Sequence, residues 1–153
     1  MIHILCREQL IPAPLGEVWE YFCDPKNLNQ ITPPGMNFEI LSGGDVRVYE
    51  GQLIEYRVEF IKGVRSRWLT EISHVRGYEY FVDEQRRGPY RFWYHEHSFE
   101  IAPSGTLMKD RVTYAVPMGL VGDLLNHLWI AGRLNYIFDY RRNTIIELFG
   151  GEK

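Results

Sequence analysis

Two histidines, His95 and His97, stand two residues apart in a run of fourteen, "GPYRFWYHEHSFEI" (88–101), that also carries five aromatic rings. On an extended chain alternate side chains share a face, so Trp93, His95, His97 and Phe99 point the same way. Four kinds of chemistry suit such a pair. With Asp83 or Asp110 as a third ligand, the imidazoles resemble a three-ligand site for zinc or iron. Beside a carboxylate in an apolar pocket they suit proton transfer, as in cyclisation or dehydration. They also suit polar anchoring of a bound small molecule. Finally, they suit a satisfied network that pins strand register, with no ligand at all. The metal reading rests on one short motif, and the acidic residues serve equally well as hydrogen-bond acceptors. No metal and no cofactor are therefore expected.

The neighbouring strands supply the partners. In residues 91–101 one face reads Arg91, Trp93, His95, His97, Phe99, Ile101 and the other Phe92, Tyr94, Glu96, Ser98, Glu100. The first face is the more apolar and is assigned to the interior. In the strand before it, Phe81, Asp83 and Gln85 share a face, although Tyr80, Val82 and Glu84 are nearly as apolar. In the strand after it, Met108, Asp110, Val112 and Tyr114 alternate against Lys109, Arg111 and Thr113. Asp83, Gln85, His95, His97, Asp110 and Tyr114 are thus expected to meet in one space. Buried charges are rarely tolerated unpaired, and a carboxylate beside an imidazole favours its charged form. No serine or cysteine nucleophile has a convincing partner.

Several elements must position these residues. Residues 2–11 alternate and read as a first strand. Pro14 then suits the first turn of a helix carrying Val18, Trp19 and Phe22 on one stripe. Asp24 and Pro25 start a second short helix, stopped by Pro33-Pro34-Gly35. From 36 to 117 strands alternate with turn signals about every ten residues, among them Lys62-Gly63, Gly77, Gly88-Pro89 and Ser104-Gly105. That spacing argues an antiparallel meander. Across 119–149 apolar residues recur with helical period, from Val121, Leu124, Leu125 and Leu128 to Leu134, Ile137, Phe138, Ile145, Leu148 and Phe149. Gly132 marks a bend or a close approach to the sheet, and Gly150-Gly151 ends the helix. Trp19, Trp68 and Trp129 read as core. The expected class is α+β: a curled antiparallel sheet of about six to seven strands around a long C-terminal helix, with two short helices after the first strand. Such a grip leaves a mostly apolar void between sheet and helix. The link Pro117-Met118-Gly119-Leu120 is expected near its mouth, where mobility would gate entry.

Composition narrows the function classes. At 153 residues the chain reads as one domain, 1–153, and its 45% apolar content suffices for a core. A net charge of −3 and a pI near 6.0 lack the basic footprint of a nucleic-acid binder. Arg141-Arg142, with Arg133 upstream, reads as a solvated helix face. Cys6 and Cys23 are too few for a disulfide framework and read as buried or half-buried thiols. No transmembrane segment and no signal peptide are expected, so a cytoplasmic location follows by default. Homodimerisation is left open.

The stretches "PLGEVWEYFCDPKNLNQITPP", "GVRSRWLTEI", "FVDEQRRGPYRFWYHEHSFE" and "MKDRVTYAVPMGLVGDL" resemble a bacterial branch of the START/birch-pollen-allergen superfamily. This is also called SRPBCC or polyketide cyclase/dehydrase-like. The resemblance spans nearly the whole chain. It implies the helix-grip fold and a deep cavity for a lipid-, sterol- or polyketide-like ligand, and it implies no single activity. The reading that follows is a protein binding a hydrophobic or amphipathic small molecule. Tyr56, Trp68, Phe81, Trp93, Met108, Tyr114, Leu124 and Leu128 would form the walls. Asp83, His95, His97 and Asp110 would anchor its polar part, with Gln85 beside them. The alternative is a cyclase or dehydratase using His95 or His97 with Asp83 or Asp110.

Overall fold

A computed structural model describes residues 1–151. β1 (His3–Ile11) leads into α1 (Leu15–Phe22) and two short 3-10 turns, Pro25–Asn29 and Pro34–Met36. Six strands follow: β2 (Glu39–Ser42), β3 (Leu53–Ile61), β4 (Val64–Arg76), β5 (Tyr80–Arg87), β6 (Phe92–Ala102) and β7 (Gly105–Ala115). The chain then forms α2 (Gly119–Leu125), a π-helical turn at Asn126–Ile130 and α3 (Ala131–Phe149).

The seven strands make one antiparallel sheet in the order β1-β7-β6-β5-β4-β3-β2. β2 to β7 are therefore a meander, and β1 closes it beside β7. Alternation drives the strands: β6 and β7 bury every second residue over most of their length. Tight turns join them, and at Lys62-Gly63 the glycine has φ +83°, a backbone state that costs a side chain energy. Bulges break the register at Glu59/Ile61, Leu69/Thr70 and Ile72/His74. Each bulge bends its strand and increases twist, so the meander curls rather than lying flat.

The curled face is filled from both ends. Trp68, Tyr90, Trp93, Tyr114, Leu134, Ile137 and Phe138 form one apolar cluster. Ile11, Trp19, Phe22, Phe81, Phe99, Met108 and Ile145 form the other. α3 supplies Leu134, Ile137, Phe138 and Ile145, spaced as one helical stripe, and so grips both. Its polar flank is tied to β1, where Arg7 hydrogen-bonds Asn135 and the Gln9 side chain donates to the Arg142 carbonyl at 3.1 Å.

The terminal helix departs from the sequence expectation over its first half. Leu120, Val121, Leu124, Leu125, Leu128 and Trp129 are exposed, with Leu128 at 69%. The π turn shifts the helical phase by about one residue, so a stripe that is inward after Ala131 is not inward before it. Trp129 is accordingly not core, and Gly132 meets no neighbouring atom. The close approach lies at Gly122, whose Cα faces the Pro117 carbonyl. Two other readings change. Cys6 is exposed on the outer face of β1, while Cys23 is buried. Arg91 and Ile101, read as interior, are exposed: Arg91 lies in the turn before β6, and Ile101 at its far end, where the strand outruns the core. Among the described residues no helix is long and apolar enough to cross a membrane.

Candidate functional site

Register decides which polar groups meet. Asp83 on β5 sits directly opposite His95 on β6, and His97 sits directly opposite Asp110 on β7. The two acids therefore flank the two imidazoles diagonally, one from each side. His95 Nε2 and Asp110 Oδ1 are hydrogen-bonded at 2.9 Å, as are His97 Nε2 and Asp83 Oδ2. The other two ring nitrogens complete a square by charge proximity. His95 Nδ1 is 3.2 Å from Asp83 Oδ2, and His97 Nδ1 is 2.9 Å from Asp110 Oδ1. This last contact lies off the hydrogen-bonding direction, so His97 Nδ1 has a charged neighbour but no hydrogen bond. The two rings are tilted by 40° with centroids 3.7 Å apart. Trp93 Nε1 donates to the second oxygen of Asp83 at 3.2 Å and fixes that carboxylate.

The lattice lies at the seam between the two apolar clusters. Phe81 stacks on His97 at 4.4 Å and Phe138 meets His95 edge-on at 5.5 Å. Both histidines and Asp110 are buried. Burial alone would push Asp83 and Asp110 up, but the charges and hydrogen bonds of the histidines hold both carboxyls far below the usual carboxylate range. Burial likewise disfavours the His95 cation, yet the Asp83 charge and the Asp110 hydrogen bond outweigh it and raise His95 above the usual imidazole value. The arrangement is thus a buried cluster of two acids and two imidazoles in which His95 is held by a carboxylate on each side.

A cavity of about 150 Å³ opens beside it, between the sheet and α3. Its walls are mostly apolar: Tyr56, Trp68, Phe81 and Trp93 from the sheet, Ile31 and Met36 from the segment after α1, and Leu134, Ile137 and Phe138 from α3. Asp83, His95, His97 and Arg141 reach it as polar lining. Burial pushes the Tyr56 phenol up, with the Asp83 charge adding, so its hydroxyl stays protonated. A second, smaller pocket lies behind the lattice and is lined by Met108, Asp110 and Arg141.

The structure separates the expected site residues. Tyr56, Trp68, Phe81, Asp83, Trp93, His95 and His97 line the main cavity. Asp110 and Met108 border only the smaller pocket, which they share with Phe138, Arg141 and Ile145 of α3. Tyr114 turns away and donates its hydroxyl to Asn126 Oδ1 at 3.1 Å. Gln85 closes the β5–β6 turn, donating to the Tyr90 carbonyl and accepting from the Tyr90 amide. Leu124 and Leu128 are exposed and line neither pocket. No residue of the Pro117–Leu120 link lines the cavity, so the entrance is not there. Lining residues missed from the sequence include Ile31, Met36, Leu134, Ile137, Phe138 and, as the charged one, Arg141. It shares the stripe of Leu134, Ile137, Phe138 and Ile145, so helical register places it inward where its neighbour Arg142 is exposed.

Asp83, His95 and His97 also offer three ligand atoms within 4.8 Å of one another, close enough to share a cation. Both imidazoles already bridge the two carboxylates, so a cation would have to displace a ring proton from each.

Comparison with known families and folds fits this geometry. Residues 11–128 match the model of a family described as "polyketide cyclase / dehydrase and lipid transport". The chain belongs to that family. An aromatase/cyclase, Zhui, from Streptomyces sp. R1128 superposes with a TM-score of 0.74 at 15% identity, over 96% of this chain and 93% of that one. A START superfamily protein from Mycobacterium smegmatis gives 0.70 at 15% identity, over 95% and 99%. A protein from Chromobacterium violaceum gives 0.73 at 14% identity, over 98% and 99%. At these identities the likeness concerns the helix-grip fold. No curated protein matches the chain. Family and fold together are those of a ligand-binding or cyclase-type domain.

Proposed function

We propose that the protein binds a hydrophobic or amphipathic small molecule, lipid-, sterol- or polyketide-like, in the cavity between the sheet and α3. One observation carries this reading: the cavity is walled by aromatic and aliphatic side chains, yet Asp83, His95 and His97 interrupt that wall on one side. Apolar area supplies affinity in such a site, and a few placed polar groups supply orientation. Native mass spectrometry of purified protein, with solvent extraction of what it carries, tests the proposal. The expected result is a non-covalent apolar adduct that Trp93→Ala or Leu134→Arg diminishes. A protein that never carries or takes up any apolar molecule defeats it.

A second reading, a cyclase or dehydratase, draws on one specific feature. The His97–Asp83 contact opens onto the cavity rather than lying sealed beneath other side chains. His95, whose proton is held by two carboxylates, would serve as a general acid toward a departing hydroxyl, with His97 beside it as the proton acceptor. Product analysis with polyketide-like substrates separates the readings. Turnover that Asp83→Asn abolishes while uptake persists would favour the enzyme.

A further inference from the structure

Among the described residues Arg141 is the one cavity-lining cation outside the square of histidines and acids. Its side chain is only 13% exposed, and its planar group lies 4.9 Å above the Phe138 ring. Nε and Nη1 are buried and have no hydrogen-bond acceptor among the described residues. The nearest carboxylate oxygen, Asp110 Oδ1, is 4.0 Å from Nη1. That oxygen already accepts from His95 Nε2 and faces His97 Nδ1. It has little capacity left for a third donor. The hydroxyl of Tyr21, another lining residue, is spent as a donor to Gln30.

A desolvated guanidinium with unspent donors calls for an acceptor, because leaving it unpaired forfeits hydration without replacement. Its donors form a rigid fork that matches a carboxylate in two-point geometry. The surrounding wall is apolar, so the acceptor must belong to a molecule that is otherwise greasy. Asp83 and Asp24, the two acids of the cavity lining, make the site hostile to a polyanion. From the geometry we infer that the bound molecule is an apolar monocarboxylic acid whose carboxylate pairs with Arg141, its hydrocarbon part lying against Phe138, Leu134 and Ile137. This deepens the proposed function and rests on it. Arg141 is a specificity-determining residue in this view: it selects the acid over a neutral analogue of the same length.

The test compares octanoate with 1-octanol at pH 7, followed by isothermal titration calorimetry and by tryptophan fluorescence. Wild-type protein is expected to bind octanoate at least about tenfold more tightly than octanol, the ratio a charge-assisted hydrogen bond provides. Arg141→Gln is expected to bind octanol as wild type does and to lose the preference. Arg141→Lys, which keeps charge but not the fork, is expected to fall between them. Thermal melts verify that both variants are folded. If wild type binds the two molecules equally, or if Arg141→Gln keeps the preference for octanoate, the Arg141 assignment is overturned while cavity binding stands. If neither molecule binds, both the assignment and the proposed function fall.

Discussion

Replacing Asp110 by asparagine removes one charge from the square without changing its volume, so the loss reads out electrostatics and not a cavity. His95 Nε2 would then face an amide, and His95 would retain only Asp83 as a charged partner. Removing one partner of a buried ion pair costs about 3–5 kcal/mol. Because Asp83 remains, the low end applies, and about 3 kcal/mol corresponds to a fall of roughly 6–12 °C in Tm for a chain of this size. The effect must also depend on pH. His95 has a folded pKa above its ordinary 6.5, so its contribution is complete below that value and is lost as pH rises through the folded one. Asp83 and Asp110 have folded values below the ordinary 3.8, so their contribution is present above it and is lost as pH falls. The square is therefore at full strength between about pH 4 and 6.5. The groups facing His95 are Asp83 from β5, Asp110 from β7, His97 on its own strand and Arg141 from α3, with Tyr56 from β3 near Asp83. Urea unfolding followed by tryptophan fluorescence from pH 3 to 9 measures the difference. Asp110→Asn should be weakest relative to wild type near pH 5.5. The gap should narrow as pH rises above 6.5, where a deprotonating His95 no longer offsets the carboxylates. A gap below 1 kcal/mol at pH 5.5, or one that is flat with pH, would refute the charged square.

The remaining predictions concern packing and reactivity. Leu134→Ala should cost about 2–5 kcal/mol in denaturant unfolding, because Leu134 is fully buried in the stripe of α3. Leu128→Ala, at an exposed position of the π turn, should stay within about 0.5 kcal/mol of wild type. Gly132→Ala should stabilise by about 0.4–1 kcal/mol, since nothing occupies the space its Cβ would enter, whereas Gly122→Ala should destabilise by driving a Cβ into the Pro117 carbonyl. Cys6 should react with a thiol reagent in the native protein, and Cys23 only on unfolding. Burial pushes the Cys23 thiol up to about 12, which leaves about one part in 10⁴ as thiolate at pH 8.

The meander and the gripping helix were legible because their signals are periodic and local. Turn residues stand about every ten positions, and alternation in β6 and β7 told the inner face from the outer. That same alternation brought Asp83, His95, His97 and Asp110 onto one side, and antiparallel pairing then made them neighbours. What alternation does not encode is where a strand begins or how deep it runs, so it assigns Arg91 and Ile101 to the interior although Arg91 precedes β6 and Ile101 lies beyond the core. Nor does it say which inward residue meets the helix. Tyr114 and Gln85 point inward in register yet spend their polar atoms on Asn126 and Tyr90. The helix was misread for a different reason. A single 3.6-residue period was carried across 119–149, and the extra residue of the π turn rotates its two halves relative to one another. A single period therefore puts Leu124 and Leu128 on the wall and leaves Arg141, which lies on the true inner stripe, as a solvated charge.

Stability alone does not account for four ionisable groups at the seam of two apolar clusters. Desolvating them is expensive, and well-packed apolar residues of similar volume commonly match or exceed such a cluster in stability. The square does achieve two things that an apolar seam would not. It binds β5, β6 and β7 by side-chain contacts that exist in one register only, since a one-residue slip would send each group to the opposite face. It also presents polar atoms of Asp83, His95 and His97 to an apolar cavity without leaving any of those charges unpaired. A rigid, internally neutralised surface of this kind orients a guest by hydrogen bonding while demanding no counter-charge from it. The demand for a counter-charge falls instead on Arg141, which the square leaves unsatisfied at 4.0 Å from its nearest acid. In the proposed binding mode, orientation and charge selection are thus separable, the first residing on the sheet and the second on the helix.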